Sequence, residues 1–257
     1  MGLKVQFMSD LHLEFADMPV PHVMGDVLVL AGDIHLGTNA IPWIEQCSFK
    51  FDHVIYILGN HEYYGYKTWK LPNQVRNSIA GLDENEHVMF DALKNVYFLE
   101  NETVKIDDVY FHGTTMWMSG HPLLEYRMND FVRIKHKFPT GGYGKFSVGA
   151  AATMHIKAMN FLHDSIVKGA KNVVVTHHAP TLQMINTLRY TDAEMNSGYY
   201  AEVIHKFDPC DVDLWISGHT HAAFDKVVAD IHTVSNCRGY HPYELTEGFN
   251  PLAMVEV

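Results

Sequence analysis

The chain has 257 residues, 47% of them apolar, enough for a globular protein with a sizeable core. No apolar run approaches the ~20 residues of a membrane span, which excludes an integral helical membrane protein. Its formal charge of −11, from 19 basic and 30 acidic residues, opposes a long phosphate polymer, which proteins usually meet with a basic stripe. A small anionic substrate stays acceptable if bound cations offset the charge locally. Residues 1–8 lack the hydrophobic region of a signal peptide, and Cys47, Cys210 and Cys237 form no CxxC pair. Free thiols in a reducing cytoplasm are expected, hence a cytoplasmic protein.

Strands and helices alternate without an internal repeat or low-complexity linker, as expected for one domain over 1–257. The strand at 5–8 leads to Asp10-Leu11-His12, and the strand at 27–30 to Gly32-Asp33. A short helix over 38–49 precedes a buried strand at 54–58, which ends in Gly59-Asn60-His61-Glu62. A helix follows over 69–80, with Pro72 suited to its first turn. A strand at 95–99 precedes a hairpin, 103–106 with 109–113, turning at Asp107-Asp108. The segment 119–144, with Pro122, Pro139 and several glycines, reads as a loop excursion over the site. A long helix over 147–167 is stopped near Gly169, and the strand at 173–175 leads to Thr176-His177-His178. A helix over 199–207 is expected before Asp208-Pro209, then a strand at 214–216 running into Gly218-His219-Thr220-His221. A hairpin over 227–234 turning near Ala229-Asp230, and a strand at 252–257, complete the chain.

Five strands thus end in His, Asp or Asn. One such ending is usually a turn or a cap. Five together describe a site built from loops on one edge of a sheet, where open α/β sheets bind ligands. The 18 histidines fit a metal site. Mn, Fe or Zn accept imidazole and carboxylate together, whereas Mg and Ca rarely take several histidines. Two ions ~3.5–4 Å apart need a shared carboxylate, and Asp33, after a glycine at a strand end, is the best candidate. Asp10 with His12, and His219 with His221, are spaced two apart on extended segments, so each pair faces one way. Asn60 offers a neutral carbonyl oxygen, and His177 a further imidazole.

The order Asp-x-His, Gly-Asp, Gly-Asn-His-Glu, His, Gly-His-x-His resembles the calcineurin-like metallophosphoesterase superfamily, from Val5 to His221. The resemblance implies an α/β fold, a four-layer αββα sandwich of two mixed β-sheets flanked by helices. It implies that Asp10, His12 and His221 hold one divalent ion and Asn60, His177 and His219 the other, with Asp33 bridging. Mn is the expected metal, with Fe or Zn as alternatives. A bridging hydroxide attacks phosphorus in that scheme, and His61 serves as general acid. Glu62 either orients His61 or makes a structural salt bridge. His177 is preferred to His178 as the ligand because the apolar run leads directly into it; His178 is then a candidate substrate contact.

Departures from the family pattern narrow the substrate. Protein phosphatases of the superfamily carry arginines just after the bridging aspartate and just before Gly-Asn-His-Glu. Here those segments read Ile34-His35-Leu36-Gly37 and Ile57-Leu58, so a protein phosphatase is disfavoured. The opening Ser9-Asp10-Leu11-His12-Leu13-Glu14 and the tail Ser235-Asn236-Cys237-Arg238-Gly239-Tyr240 resemble a bacterial and phage branch of small phosphoesterases. Arg238 is a candidate substrate contact, against a structural role. Small phosphodiesters are the expected substrates, with a phosphomonoester as an alternative. A nuclease acting on DNA or RNA is the other alternative, through Arg127, Arg133, Lys135, Lys137 and Lys145 interleaved with Tyr126, Phe131 and Phe138. A solvated loop face explains that segment as readily.

Overall fold

A computed structural model describes residues 2–138, 141–188 and 190–257. In chain order it contains β1 (Lys4–Met8), β2 (Val27–Ala31), α1 (Ile41–Ser48), β3 (His53–Ile57), α2 (Leu71–Ile79) and β4 (Val96–Phe98). Next come β5 (Glu102–Ile106), β6 (Val109–Thr114), α3 (Asp130–Arg133), β7 (Lys135–Lys137), β8 (Tyr143–Lys145) and α4 (Val148–Ser165). The remaining strands are β9 (Lys171–Thr176), β10 (Leu214–Ser217), β11 (Ala223–Val228), β12 (Ile231–Asn236) and β13 (Met254–Glu256).

Two mixed sheets form. The first runs β13-β1-β2-β3-β4, with β1 to β4 parallel and β13 antiparallel on the edge. The second runs β11-β12-β10-β9-β6-β5, with its four central strands parallel and both edges antiparallel. β2 (VLVLA) is buried throughout, as a strand covered on both faces must be. Alternation sorts its side chains. Val27, Val29 and Ala31 join Ile55, Ile57, Phe111, Val173, Val175, Leu214 and Ile216 in a core between the sheets. Leu28 and Leu30 face outward into a core with Ile41 and Ile44 of α1 and Leu71 and Val75 of α2. On the far side, Val174 and Trp215 pack under Ala158, Met159 and Leu162 of α4. The layers are therefore helix, sheet, sheet, helix. Trimming a side chain such as Leu30 to Ala would cost ~2–5 kcal/mol.

α2 begins at Leu71 with Pro72 in its first turn, and Ser147 caps α4 by accepting a hydrogen bond from the Ala150 amide. The β11–β12 turn falls at Ala229 and Asp230, both with positive φ, as a two-residue hairpin turn requires. One expected element does not form. Residues 199–207 carry only a short 3-10 turn at Ile204–Lys206. Their amides bond instead to the loop after β9: Ala201 donates to Ala179, and Val203 and Ile204 to Pro180. The excursion at 119–144 is more ordered than expected, with a 3-10 turn at Pro122–Tyr126, α3 and the β7–β8 hairpin. Its Pro139 and Thr140 lie outside the described residues.

Candidate metal centre

The parallel strands of both sheets point their carboxyl ends at one rim, and the loops there carry the candidate residues. Asp10, His12 and Glu14 follow β1, Asp33 follows β2, and Asn60, His61 and Glu62 follow β3. His177 and His178 follow β9, and His219 and His221 follow β10. Asp10, His12, Asp33, His219 and His221 all have φ between 45° and 68°. The pairs Asp10/His12 and His219/His221 thus converge through left-handed backbone rather than through the alternation of an extended segment. Such conformations are costly for residues other than glycine and persist where surrounding structure imposes them. Three glycines make room. A Cβ on Gly59 would lie 2.1 Å from Asp33 Oδ1, one on Gly32 2.6 Å from His177 Nδ1, and one on Gly218 2.7 Å from Asp10 Oδ2.

His12, Glu14 and His61 form one group with ligand atoms mutually within 4.8 Å, and two further groups gather on the same terms: Asp10, Asp33, His177 and His219, then Asp10, His12 and His221. Asp33 spans them, with Oδ1 3.4 Å from His177 Nε2 and Oδ2 3.9 Å from His12 Nε2. Asp10 also belongs to both groups; its Oδ2 accepts from the Ser9 hydroxyl and the His219 amide, while Oδ1 lies 3.5 Å from His221 Nε2. The Asn60 amide nitrogen donates to Asp130 Oδ1 at 2.9 Å, which leaves Oδ1 inward, 3.0 Å from His177 Nε2.

Donor chemistry and outer contacts fit divalent ions. The far nitrogen of each imidazole is anchored: His177 Nδ1 on the Ala31 carbonyl at 2.9 Å, His219 Nε2 on Gly198 at 3.3 Å, and His12 Nδ1 on Glu14 at 3.2 Å. His221 Nδ1 stands 3.7 Å from Glu244. Such anchoring fixes which nitrogen can face a metal. His12 Nε2 and His221 Nε2 approach to 3.1 Å, two ring nitrogens converging on one point.

The electrostatics divide neighbours sharply. Burial pulls the His177 imidazole down, but adjacent Asp33 outweighs it and raises the group to about 10. The same contact holds Asp33 well below the ordinary carboxylate range despite its burial. His178 is buried too, and burial plus the His177 charge push it down to about 3. Its Nδ1 meets the Thr115 carbonyl at 3.2 Å, and its ring lies between Trp117 and His219 rather than on the cavity wall.

Two glutamates differ in the same way. Among the described residues the Glu62 side chain makes no hydrogen bond or ion pair with His61. Its oxygens accept from the amides of Asp33, Ile34 and Gly59 and from Tyr56, and burial with nearby Asp33 raises it to about 8. Glu14 makes the contact with His61, Oε1 to Nδ1 at 2.9 Å, and also meets His12. Burial opposes its ionisation, but the two imidazoles bring it down to about 2. His61 Nε2 lies 3.2 Å from the Tyr240 hydroxyl. Burial works against the His61 charge, yet Asp33 and Glu14 raise its pKa overall.

A cavity of about 230 Å³ opens beside the groups, with Asp33, Asn60, Tyr64, Tyr199, His219 and Tyr240 among its walls. Arg127, Met128 and Asp130 from the excursion line its far side. Arg238 does not reach it. The guanidinium donates to the carbonyls of Leu11, Ala16 and Asp17, which favours the structural alternative for this residue. Glu14 and Tyr240 lay inside quoted motifs without a role, whereas Asp130 had no sequence signal.

Residues 3–223 match the family described as calcineurin-like phosphoesterase. The chain belongs to this family. The phosphoesterase is also 24% identical to uncharacterized protein L509 of Acanthamoeba polyphaga mimivirus, over 98% of the chain and 96% of that relative. Over 47% of its length it is 31% identical to UPF0046 protein K07C11.7 of Caenorhabditis elegans, covering 40% of the latter. Its fold is that of the phosphopantetheinyl hydrolase PptH from Mycobacterium tuberculosis, with a TM-score of 0.65, 14% identity, and 93% and 91% of the two chains covered. The chain is accordingly a metal-dependent phosphoester hydrolase, and its family implies divalent ions at a binuclear site. Among the described residues no helix is long and apolar enough to cross a membrane. The three cysteines are unpaired.

Proposed function

We propose that the phosphoesterase hydrolyses small phosphodiesters, with Asp10, His12, Asp33 and His221 holding one cation and Asp33, Asn60, His177 and His219 the other. When bound, the two cations offset charge on the phosphoryl oxygens and favour attack by water; the mixed imidazole and carboxylate set accepts Mn, Fe or Zn, and Mn is the ion we propose. Glu14 fixes the His61 ring through Nδ1, so Nε2 points at Tyr240. Asp33 and Glu14 raise the His61 pKa above that of a free imidazole, which favours the protonated form that a proton donor needs. Tyr240 lines the cavity and its hydroxyl meets Nε2, so in this reading the proton passes from His61 to Tyr240 as the Tyr240 proton passes to the leaving oxygen.

The observation that carries the diester reading is the charge of the cavity wall. Asp130 lines it, and Arg127, the arginine among the described residues that lines it, is engaged by Asp192 and Glu194. A diester brings one negative charge to that wall where a monoester brings two. The test is kcat/KM for bis-nitrophenyl phosphate and a cyclic nucleotide against nitrophenyl phosphate, with Mn added. Diester turnover should lead; a preference for the monoester would overturn the reading.

A further inference from the structure

We propose that the outer face of the β7–β8 hairpin is a docking surface for a short single strand of nucleic acid, outside the catalytic cavity. In β7, Lys135 and Lys137 are two apart and share one face. Across the ladder Lys135 is paired with Lys145, and Lys137 with Tyr143, so all four side chains project together. On the other edge Lys135 bridges Lys67, which extends the row across a third segment. His136 and Thr68 bond to each other on the opposite, inward side at 2.8 Å. The four lysines are exposed.

Like charges placed directly opposite on a sheet destabilise it, and here Lys135 faces a lysine on both sides. Among the described residues no carboxylate forms an ion pair with Lys67, Lys135, Lys137 or Lys145. The sequence keeps acids away. Residues 63–82 and 131–163 contain no Asp or Glu, in a chain that has 30. A row of unneutralised cations on an otherwise acidic protein is a surface awaiting an anion.

The aromatics say which anion. Trp69 and Tyr143 stack, with ring centroids 5.0 Å apart and planes 12° apart, and Lys67 lies over the Trp69 ring at 5.7 Å. Tyr143 is 71% exposed, so its outer face is available. Cations beside a stacking platform match single-stranded nucleic acid, whose phosphates and bases use both. An acidic peptide gains nothing from the rings. Arg133, whose guanidinium lies 5.4 Å over Tyr64, connects the hairpin to the cavity wall.

The test is fluorescence anisotropy with the full-length, Mn-loaded protein and a labelled phosphorothioate oligo-dT about twelve nucleotides long, within the usual single-strand site sizes. A plot of log affinity against log salt should have a slope of about −3, since each neutralised phosphate contributes about −0.7 on single strands. Lys135→Gln with Lys145→Gln should weaken binding and roughly halve that slope, with a melting temperature no lower than the parent's. Tyr143→Ala should weaken binding at least about fivefold and leave the slope unchanged. Neither variant should alter turnover of a small diester. Absence of binding at low salt, or full binding by both variants, would overturn the proposal. So would competition by polyglutamate as effective as that of poly-dT, which would mark an acidic-protein surface instead.

Discussion

The two sheets contribute unlike chemistry to the same rim. Loops of the first bring every carboxylate of the candidate centre, Asp10, Glu14, Asp33 and Glu62, together with Asn60, His12 and His61. Loops leaving the parallel strands β9 and β10 of the second bring imidazoles, His177, His178, His219 and His221. Carboxylates thus face imidazoles across the gap between sheets. The carboxylate–imidazole pair His177 and Asp33, 3.4 Å apart, carries opposite shifts: the imidazole is held up to about 10 and the carboxylate far down. That proton occupies the position of a cation, and binding a metal there must release it. A site divided in this way lets metal binding and sheet-to-sheet cohesion reinforce one another.

Removing the shared anion breaks the comparison most severely. Asp33→Asn should lower activity by more than the about 10²–10⁴-fold typical of losing a general acid, and should weaken both ions together. Metal analysis decides this. Two tightly held ions in Asp33→Asn, with both lost in Asp10→Asn, would transfer the bridging role to Asp10, which also sits in both groups. On the imidazole side, His177→Ala should cost more metal than His178→Ala. Loss at His178 should stay within the 10–100-fold of a supporting contact, and the reverse order would exchange the two roles.

The next prediction tests the proton path on the carboxylate side. His61→Ala should slow an alkyl or nucleoside ester by about 10²–10⁴-fold and largely spare a nitrophenyl ester, whose leaving group departs without a proton. Glu14→Gln should show the same leaving-group dependence at about 10–100-fold through the His61 ring, with metal content reporting separately on its second contact, to His12. Losses that are equal for both substrates, with metal content intact, would remove His61 and Glu14 from proton transfer.

The frame of this comparison was legible in sequence because short, β-branched apolar runs such as VLVLA bounded by turn signals read as strands covered on both faces, and each visibly ended in a ligand type. The manner of convergence was not legible. The positive φ of Asp10, His12, His219 and His221 follows from loops packing on one another, not from local pattern. Glu62 stood beside His61 in the motif, yet the tight turn at Asn60 directs it to three backbone amides, and Glu14 reaches the ring from another loop. The expected helix at 199–207 had the composition for one. Tertiary hydrogen bonds to Ala179 and Pro180 prevailed and placed Tyr199 on the cavity wall.

The smallest effect concerns the seam between the sheets away from the metals. Glu100 lies between β4 and β5, its Oε2 accepting from the Thr115 hydroxyl at 2.7 Å. Burial raises its carboxyl from 4.5 to about 7. The folded state therefore binds the Glu100 proton more tightly than the unfolded chain does. Its contribution is favourable at low pH and is lost as pH rises from about 4.5 through about 7. Glu100→Gln keeps an acceptor for Thr115 without the titration. Thermal melts across that window should show the variant's stability falling less with pH than the parent's, by on the order of 1–2 kcal/mol by pH 8. Parallel pH profiles for parent and variant would show that Glu100 ionises as freely in the fold as outside it, and that the seam carries no buried carboxyl cost.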